Sequence, residues 1–153
     1  MHQERIEHLI SVYRDGLLDD TLRFWVPRLV DRTHGGFYTC LDRDGALVAS
    51  DKAIWQQGRA AWLFGELYNT FEPRGDWLEL AQHGVDFLER HCIDPADGRM
   101  WFLTTEAGQP LRKRRYAYSE SFAAIACGEL AQATGDARYA TLAERLFREF
   151  CRQ

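Results

Sequence analysis

Lys52-Ala53-Ile54-Trp55-Gln56-Gln57-Gly58-Arg59-Ala60-Ala61-Trp62 reads as a helix with Lys52, Trp55, Arg59 and Trp62 along one side. Residues three and four apart share a helical face. A solvated face has no need of two tryptophans, and a plain core face has none of lysine and arginine. Aromatic rings beside fixed cations and an amide suit a pocket for a polar, ring-shaped ligand such as a sugar. The competing reading is an amphipathic helix whose long basic side chains lie along its rim with their charges in water.

A second copy of the pattern follows. Asp31 to Tyr68 aligns without a gap on Asp94 to Ala131, a shift of 63 residues (94 − 31). Asp31 falls on Asp94, Gly35 on Gly98, Gly45 on Gly108, Lys52 on Arg115 and Trp55 on Tyr118. Ala60, Ala61, Gly65, Glu66 and Leu67 fall on Ala123, Ala124, Gly128, Glu129 and Leu130. Internal repeats fix architecture. Matching glycines imply matching turns, because glycine accepts a positive φ. Cationic and aromatic residues recur where each second helix begins, so those helix starts are expected to converge on one place.

The pattern around the repeat predicts a first helix from about Gln3 to Leu29, kinked or ended by Pro27. A turn at His34-Gly35-Gly36 leads into a strand over Phe37–Leu41. Asp42-Arg43-Asp44-Gly45 turns the strand back, and Ala46–Ala49 returns. Ser50 or Asp51 is the expected cap of the next helix, which runs to about Thr70. Asp76 is the expected cap of a helix from Trp77 to about His91. A strand over Met100–Thr104 and a turn at Ala107-Gly108 follow, then a helix from about Tyr116 to Ala133. Thr134-Gly135-Asp136 stops that helix and caps the last, Ala137 to Arg152. The unit is helix, hairpin, helix. Repeat units of about 1–72 and 76–134 and the start of a third at 136–153 fit in the chain as parts of one domain. Helical repeats bury their faces only against neighbours, which predicts that these 153 residues are the N-terminal part of a longer, closed array.

With 46% hydrophobic and 27% charged residues the chain is globular, not disordered. A net charge of −4 argues against a nucleic-acid partner, because the basic footprint is missing. Arg112-Lys113-Arg114-Arg115 is the exception, read as a solvated charge run or, less favoured, an anion site. No stretch has the length of a membrane span, and the polar start lacks the apolar core of a signal peptide. Cys40, Cys92, Cys127 and Cys151 form no paired ligand motif, so no metal site is expected. They read as reduced, mostly buried thiols of a cytoplasmic protein.

Lys52-x-x-Trp55-x-Gln57-Gly58-Arg59-x-x-Trp62, with Gly35-Gly36-Phe37 before it and Arg115-Tyr116-x-Tyr118-Ser119-Glu120-Ser121-Phe122 after it, resembles the N-acylglucosamine 2-epimerase family. That family also holds cellobiose 2-epimerases, mannose isomerases and renin-binding proteins. The resemblance spans nearly the whole chain, and the Tyr-Ser-Glu-Ser-Phe form looks most like the N-acylglucosamine branch. It implies an all-α fold, part of an (α/α)6 barrel built of helix–β-hairpin–helix repeats, with the helix after each hairpin lining a central pocket.

The resemblance also implies a reaction, proton abstraction and return at C2 of a ring-opened sugar. Such chemistry needs a base on one face, an acid on the other, and a cation or donor at the enediolate oxygen. Arg59 is the residue the resemblance assigns to carbonyl and enediolate stabilisation, since its planar fork suits the task; an ion pair with Glu66 or Glu120 is its alternative role. Tyr118 matches a sugar-contacting position. Trp55, Lys52, Trp62 and Glu120 are the remaining substrate-binding candidates, with core packing an equal reading for Trp62 and orientation of carboxylates for Lys52. The family's acid/base pair is two histidines on later inner helices. The histidines here are His2, His8, His34, His83 and His91, none on an inner-helix motif. The proton-moving groups are therefore expected to lie outside these residues. No cofactor is required by the chemistry, and a nucleotide enters only as an allosteric effector in part of the family.

Two other classes remain open. A glycoside hydrolase with an α/α barrel would need opposed carboxylates, for which Glu66 and Glu120 are the candidates. A non-catalytic interaction module would expose an apolar edge and self-associate, with a homodimer as the simplest form. The expected partner on the first reading is a small-molecule sugar.

Overall fold

A computed structural model describes residues 2–113 and 116–152. Arg115, its match to Lys52, and Arg114 lie outside the described residues. The first helical run is unbroken but not uniform: α1 (His2–Asp15) passes into π-helix (Gly16–Thr21) and then α2 (Leu22–Leu29). Pro27 lies inside α2, and the helix ends two residues later at Leu29. The second helix of the first unit is α3 (Ile54–Glu66), extended by π-helix (Leu67–Phe71). α4 (Gly75–His91), α5 (Tyr118–Thr134) and α6 (Ala137–Phe150) complete the helices.

The 63-residue shift reappears as a repeated set of backbone bonds. Val30 bridges Phe37 and Ile93 bridges Met100. Asp31 N donates to Gly36 O and Gly35 N to Asp31 O; Asp94 N donates to Arg99 O and Gly98 N to Asp94 O. Gly35 and Gly98 turn with φ of 83° and 76°, and Gly45 and Gly108 with 88° and 82°. These left-handed turns are open to glycine at little cost.

The hairpins differ from expectation in one consequential way. β1 (Cys40–Leu41) pairs with β2 (Leu47–Ala49), as a shorter ladder than Phe37–Leu41 implies. β3 (Lys52–Ala53) instead joins β4 (Leu103–Thr104), which pairs with β5 (Pro110–Arg112). The exit of the first unit is thus a strand of the second unit's sheet. α3 consequently starts at Ile54, and its cap is Ala53, extended at φ −77° and ψ 120° without a side-chain bond, in place of Ser50 or Asp51. Lys52 leaves the helical face on which the sequence placed it. The α4 cap is also corrected: Arg74 precedes the helix, and Asp76 lies in its first turn, paired to Arg74 at 2.6 Å. Asp136 does cap α6, accepting from Arg138 N at 2.8 Å, and α5 ends at left-handed Gly135.

The inner helices α3 and α5 pack side by side, with α4 against α3 and α6 against α5. Small residues make this approach possible. Gly58 and Gly65 of α3 are buried, Gly58 against Phe122 and Ala123 and Gly65 against Glu129 of α5. A Cβ on Gly58 would lie 2.8 Å from the carbonyl carbon of Phe122. The core continues outward through Phe37, Phe64, Val85, Leu88, Leu130 and Leu146. This is an all-α fold with two inner helices and an outer layer, a segment of an α/α barrel. No helix among the described residues is long and apolar enough to cross a membrane. Cys92 and Cys127 are buried, but Cys40 and Cys151 are exposed, so the expectation of mostly buried thiols holds for two of the four.

Candidate functional site

The starts of α3 and α5 stand next to each other and present their aromatic residues together. Trp55, Phe102, Tyr118 and Phe122 line an apolar hollow of about 270 Å³. The Trp55 and Phe122 ring centroids are 6.2 Å apart. Trp55 and Tyr118, equivalent under the repeat, thus reach one place, as the sequence implied. Tyr118 is 61% exposed, with Tyr116 at 6.1 Å beside it. Phe102 and Phe122 were not singled out from the sequence. Phe122 was legible, because it lies one turn beyond Tyr118 on the same face. Phe102 lies just before β4 and reaches the hollow by sheet geometry, which the helical pattern does not show.

Arg59 is exposed at the edge of the hollow. Its guanidinium lies 5.8 Å from the Trp55 ring and 5.5 Å from the Phe122 ring. Such cation–π contacts contribute about 0.5–1 kcal/mol at exposed sites. Among the described residues no carboxylate lies within ion-pair distance of Arg59, so neither Glu66 nor Glu120 is its partner. The two rings flank the charge of an otherwise exposed side chain.

Lys52 and Glu120 stand elsewhere than the expected pocket lining. Lys52 is fully enclosed and donates to Asp31 Oδ2 at 2.6 Å, Gly35 O at 2.7 Å and Glu106 O at 2.7 Å. Asp31, His34 and Glu106 converge within 4.8 Å, and the Lys52 ammonium supplies the positive charge there. Burial alone would raise the Asp31 carboxyl, but the Lys52 bond and the His34 and Thr33 N–H groups outweigh it and hold it at about 2. Lys52 therefore joins the first unit to the hairpin of the second and has no surface to offer a sugar. Glu120 is equally enclosed. Its Oε1 accepts from Met100 N at 2.9 Å, with Arg99 Nε at 3.7 Å. The equivalent of the Asp31–Lys52 pair is Asp94–Lys113 at 2.6 Å, two residues before Arg115. Lys113 also binds Asp97, so the basic cluster spends this charge on its own loop.

Further along the same faces lies a carboxyl pair. Trp62 packs against the core, half-buried. Asn69 Nδ2 donates to Glu129 Oε2 at 2.7 Å. Burial and then the neighbouring Glu66 raise the Glu129 carboxyl above its ordinary range, against the Asn69 bond. A carboxyl raised by folding favours the folded state when protonated and weakens it as pH rises from the unfolded value through the folded one. Glu129→Gln is accordingly expected to raise Tm at pH 7 and to leave it unchanged near pH 4, measured by thermal melts at both.

No imidazole opens on the aromatic hollow. His2 and His8 lie on α1, and His34 sits 3.4 Å from Asp31. His83 on α4 bonds Gly36 O at 2.9 Å, and His91 on α4 packs on Phe87.

The sequence profile of the N-acylglucosamine 2-epimerase family matches residues 36–153. The chain is 39% identical over 127 residues to the N-acylglucosamine 2-epimerase of Homo sapiens, covering 81% of this chain and 30% of that protein. It is 32% identical over 142 residues to a cellobiose 2-epimerase of Ruminococcus albus, covering 92% of this chain and 36% of that one. The crystal structure of a sugar epimerase from a ruminal bacterium superimposes with a TM-score of 0.83 at 30% identity, over 92% of this chain and 36% of that chain. The chain thus spans about a third of the length of the relatives it matches. Paired helix–hairpin–helix units, adjoining inner-helix starts and a profile match over residues 36–153 together place this chain in the N-acylglucosamine 2-epimerase family.

Proposed function

We propose that this chain forms one wall of the sugar pocket of a carbohydrate 2-epimerase or isomerase. The observation that carries the reading is Arg59, held over Trp55 and Phe122 with no carboxylate partner among the described residues and with Tyr118 lining the hollow beside it. Trp55 and Phe122 offer flat apolar faces to a sugar's C–H groups. Arg59 offers paired donors to the open-chain carbonyl, and those donors strengthen as negative charge grows on the enediolate oxygen. The phenol of Tyr118 bonds a neighbouring hydroxyl. This wall binds and polarises. The base and acid that move the C2 proton are assigned to inner helices facing it, as the family resemblance implies. Relatives named for N-acylglucosamine and for cellobiose support a 2-epimerisable aldose as the substrate class.

Tryptophan fluorescence of the 153-residue chain, titrated with N-acetylglucosamine, N-acetylmannosamine, mannose and cellobiose, tests the reading. One of these is expected to quench Trp55 saturably. Arg59→Met is expected to weaken that sugar by about 10- to 100-fold, the range of a lost charge-assisted bond. Equal affinity in Arg59→Met, or no saturable quenching by any of the four, would overturn it.

A further inference from the structure

We infer that Glu120 is a positioning residue for the aromatic pocket, acting from inside the fold through Met100 on Phe102 and Tyr118. The inference rests on the sugar-binding reading only for its affinity readout. Gln57 is the equivalent residue 63 positions earlier. Its Oε1 accepts from Phe37 N at 2.7 Å and its Nε2 donates to Phe37 O at 2.8 Å. That amide ties the first turn to α3, two residues beyond Trp55. Glu120 occupies the same place in the second unit and accepts from Met100 N at 2.9 Å, two residues beyond Tyr118.

The segment Met100–Phe102 is thereby tied to both inner helices. Ile54 N, the first residue of α3, donates to Phe102 O at 3.0 Å. Glu120 supplies the tie to α5. Phe102 and Tyr118, which wall the hollow from different elements, are set relative to each other by this junction. A buried carboxylate is costly compared with an amide that makes both bonds. Glu120 Oε2 has no hydrogen-bond partner among the described residues, while Gln57 uses both its polar atoms. Position 120 therefore needs an acceptor for Met100 N at this side-chain length. The Glu120 charge stands 3.7 Å from Arg99 Nε, beyond hydrogen-bond distance, so the acceptor is what the junction uses and glutamine is its functional equivalent.

The test uses Glu120→Gln, Glu120→Ala and, as a destabilised control, Leu142→Ala, which opens the core under α6 and does not line the pocket. Sugar affinity is read by the tryptophan titration well below each Tm. Glu120→Gln is expected to bind within about twofold of the parent, and Glu120→Ala at least about tenfold more weakly, as a wall displaced by a fraction of an ångström implies. Leu142→Ala is expected to lose Tm but no affinity. Should Glu120→Ala not fold, Glu120→Asp, one methylene short of Met100, replaces it with the same expected loss. Parental affinity in the Ala or Asp variant, or an equal loss in Leu142→Ala, overturns the inference. If the parent binds no sugar, the sugar reading has failed and the positioning role is judged by NMR instead. Ring cross-peaks between Tyr118 and Phe102 are then expected in the parent and in Glu120→Gln and absent in Glu120→Ala; their persistence in Glu120→Ala overturns it.

Discussion

Gly58→Val is expected to destabilise the chain by about 3 kcal/mol, a Tm loss of roughly 6–12 °C, and to remove sugar binding. The cause is steric and local. A Cβ at position 58 would lie 2.8 Å from the Phe122 carbonyl carbon and 2.9 Å from Ala123 N. Both are backbone atoms of α5, so no rotamer change relieves the contact and the helices must part. Valine adds two methyl groups to that surface. Separation of α3 from α5 moves Trp55 and Arg59 away from Phe122, which now lie 6.2 Å and 5.5 Å from its ring. The companion substitution Gly128→Ala separates this effect from the general cost of glycine in a helix. Gly128 also lies within an inner helix, but a Cβ there meets nothing within 4 Å. Alanine at 128 is expected to raise stability by about 0.5–1 kcal/mol. Denaturant melts of both variants decide the matter: similar shifts in one direction would mean that the helix approach is not set at Gly58.

The contrast between these glycines shows what the sequence could and could not disclose. The repeat located Gly65 opposite Gly128, and the hairpin glycines 35, 45, 98 and 108, because turns demand a backbone conformation that residue type reveals. It gave no weight to Gly58, whose equivalent is Ser121; its role is the approach of another helix, a tertiary fact. The meeting of Trp55 with Tyr118 was legible because both occupy the same position in a repeated unit. Lys52 was misplaced because helical periodicity runs smoothly through it, while the pairing of Lys52–Ala53 with Leu103–Thr104 is non-local. Glu120 read as a ligand group because a carboxylate beside a tyrosine looks functional in one dimension. Its burial follows from lying on the side of α5 turned toward Met100. Arg59 stands on the helical face where the sequence placed it, since the aromatic residues beside it are one turn away on α3 and across on α5.

Lys52→Met is expected to cost about 3–5 kcal/mol, the usual price of breaking a buried ion pair from one side. Methionine replaces the ammonium with a side chain of similar length, so the loss is chiefly electrostatic. Asp31, 1% exposed, would keep its Thr33 and His34 bonds but lose its counter-ion. Gly35 O and Glu106 O would each lose a donor, and the tie between the first turn and the second hairpin would open. The pH dependence identifies the cause. Asp31 is held at about 2 in the folded chain, below the ordinary carboxylate value. A carboxyl lowered by folding stabilises fully above its unfolded pKa, near 3.9, and that contribution is lost as pH falls from there toward about 2. The parent should therefore lose stability steeply between about pH 4 and pH 2, and this part of the loss should be absent from the double variant Asp31→Asn, Lys52→Met. Asparagine keeps an acceptor for the two backbone N–H groups and carries no charge, so the double variant should also be more stable at pH 7 than Lys52→Met alone. Urea unfolding at pH 7, 4 and 2.5 measures all three chains. If Lys52→Met matched the parent at pH 7, the ion pair would contribute nothing net and β3 pairing alone would hold the start of α3. If the double variant kept the parent's acid slope, other carboxylates would carry it. The expected pattern makes Lys52 a lock between repeat units: it fixes the strand from which α3 departs, and so where Trp55 and Arg59 stand.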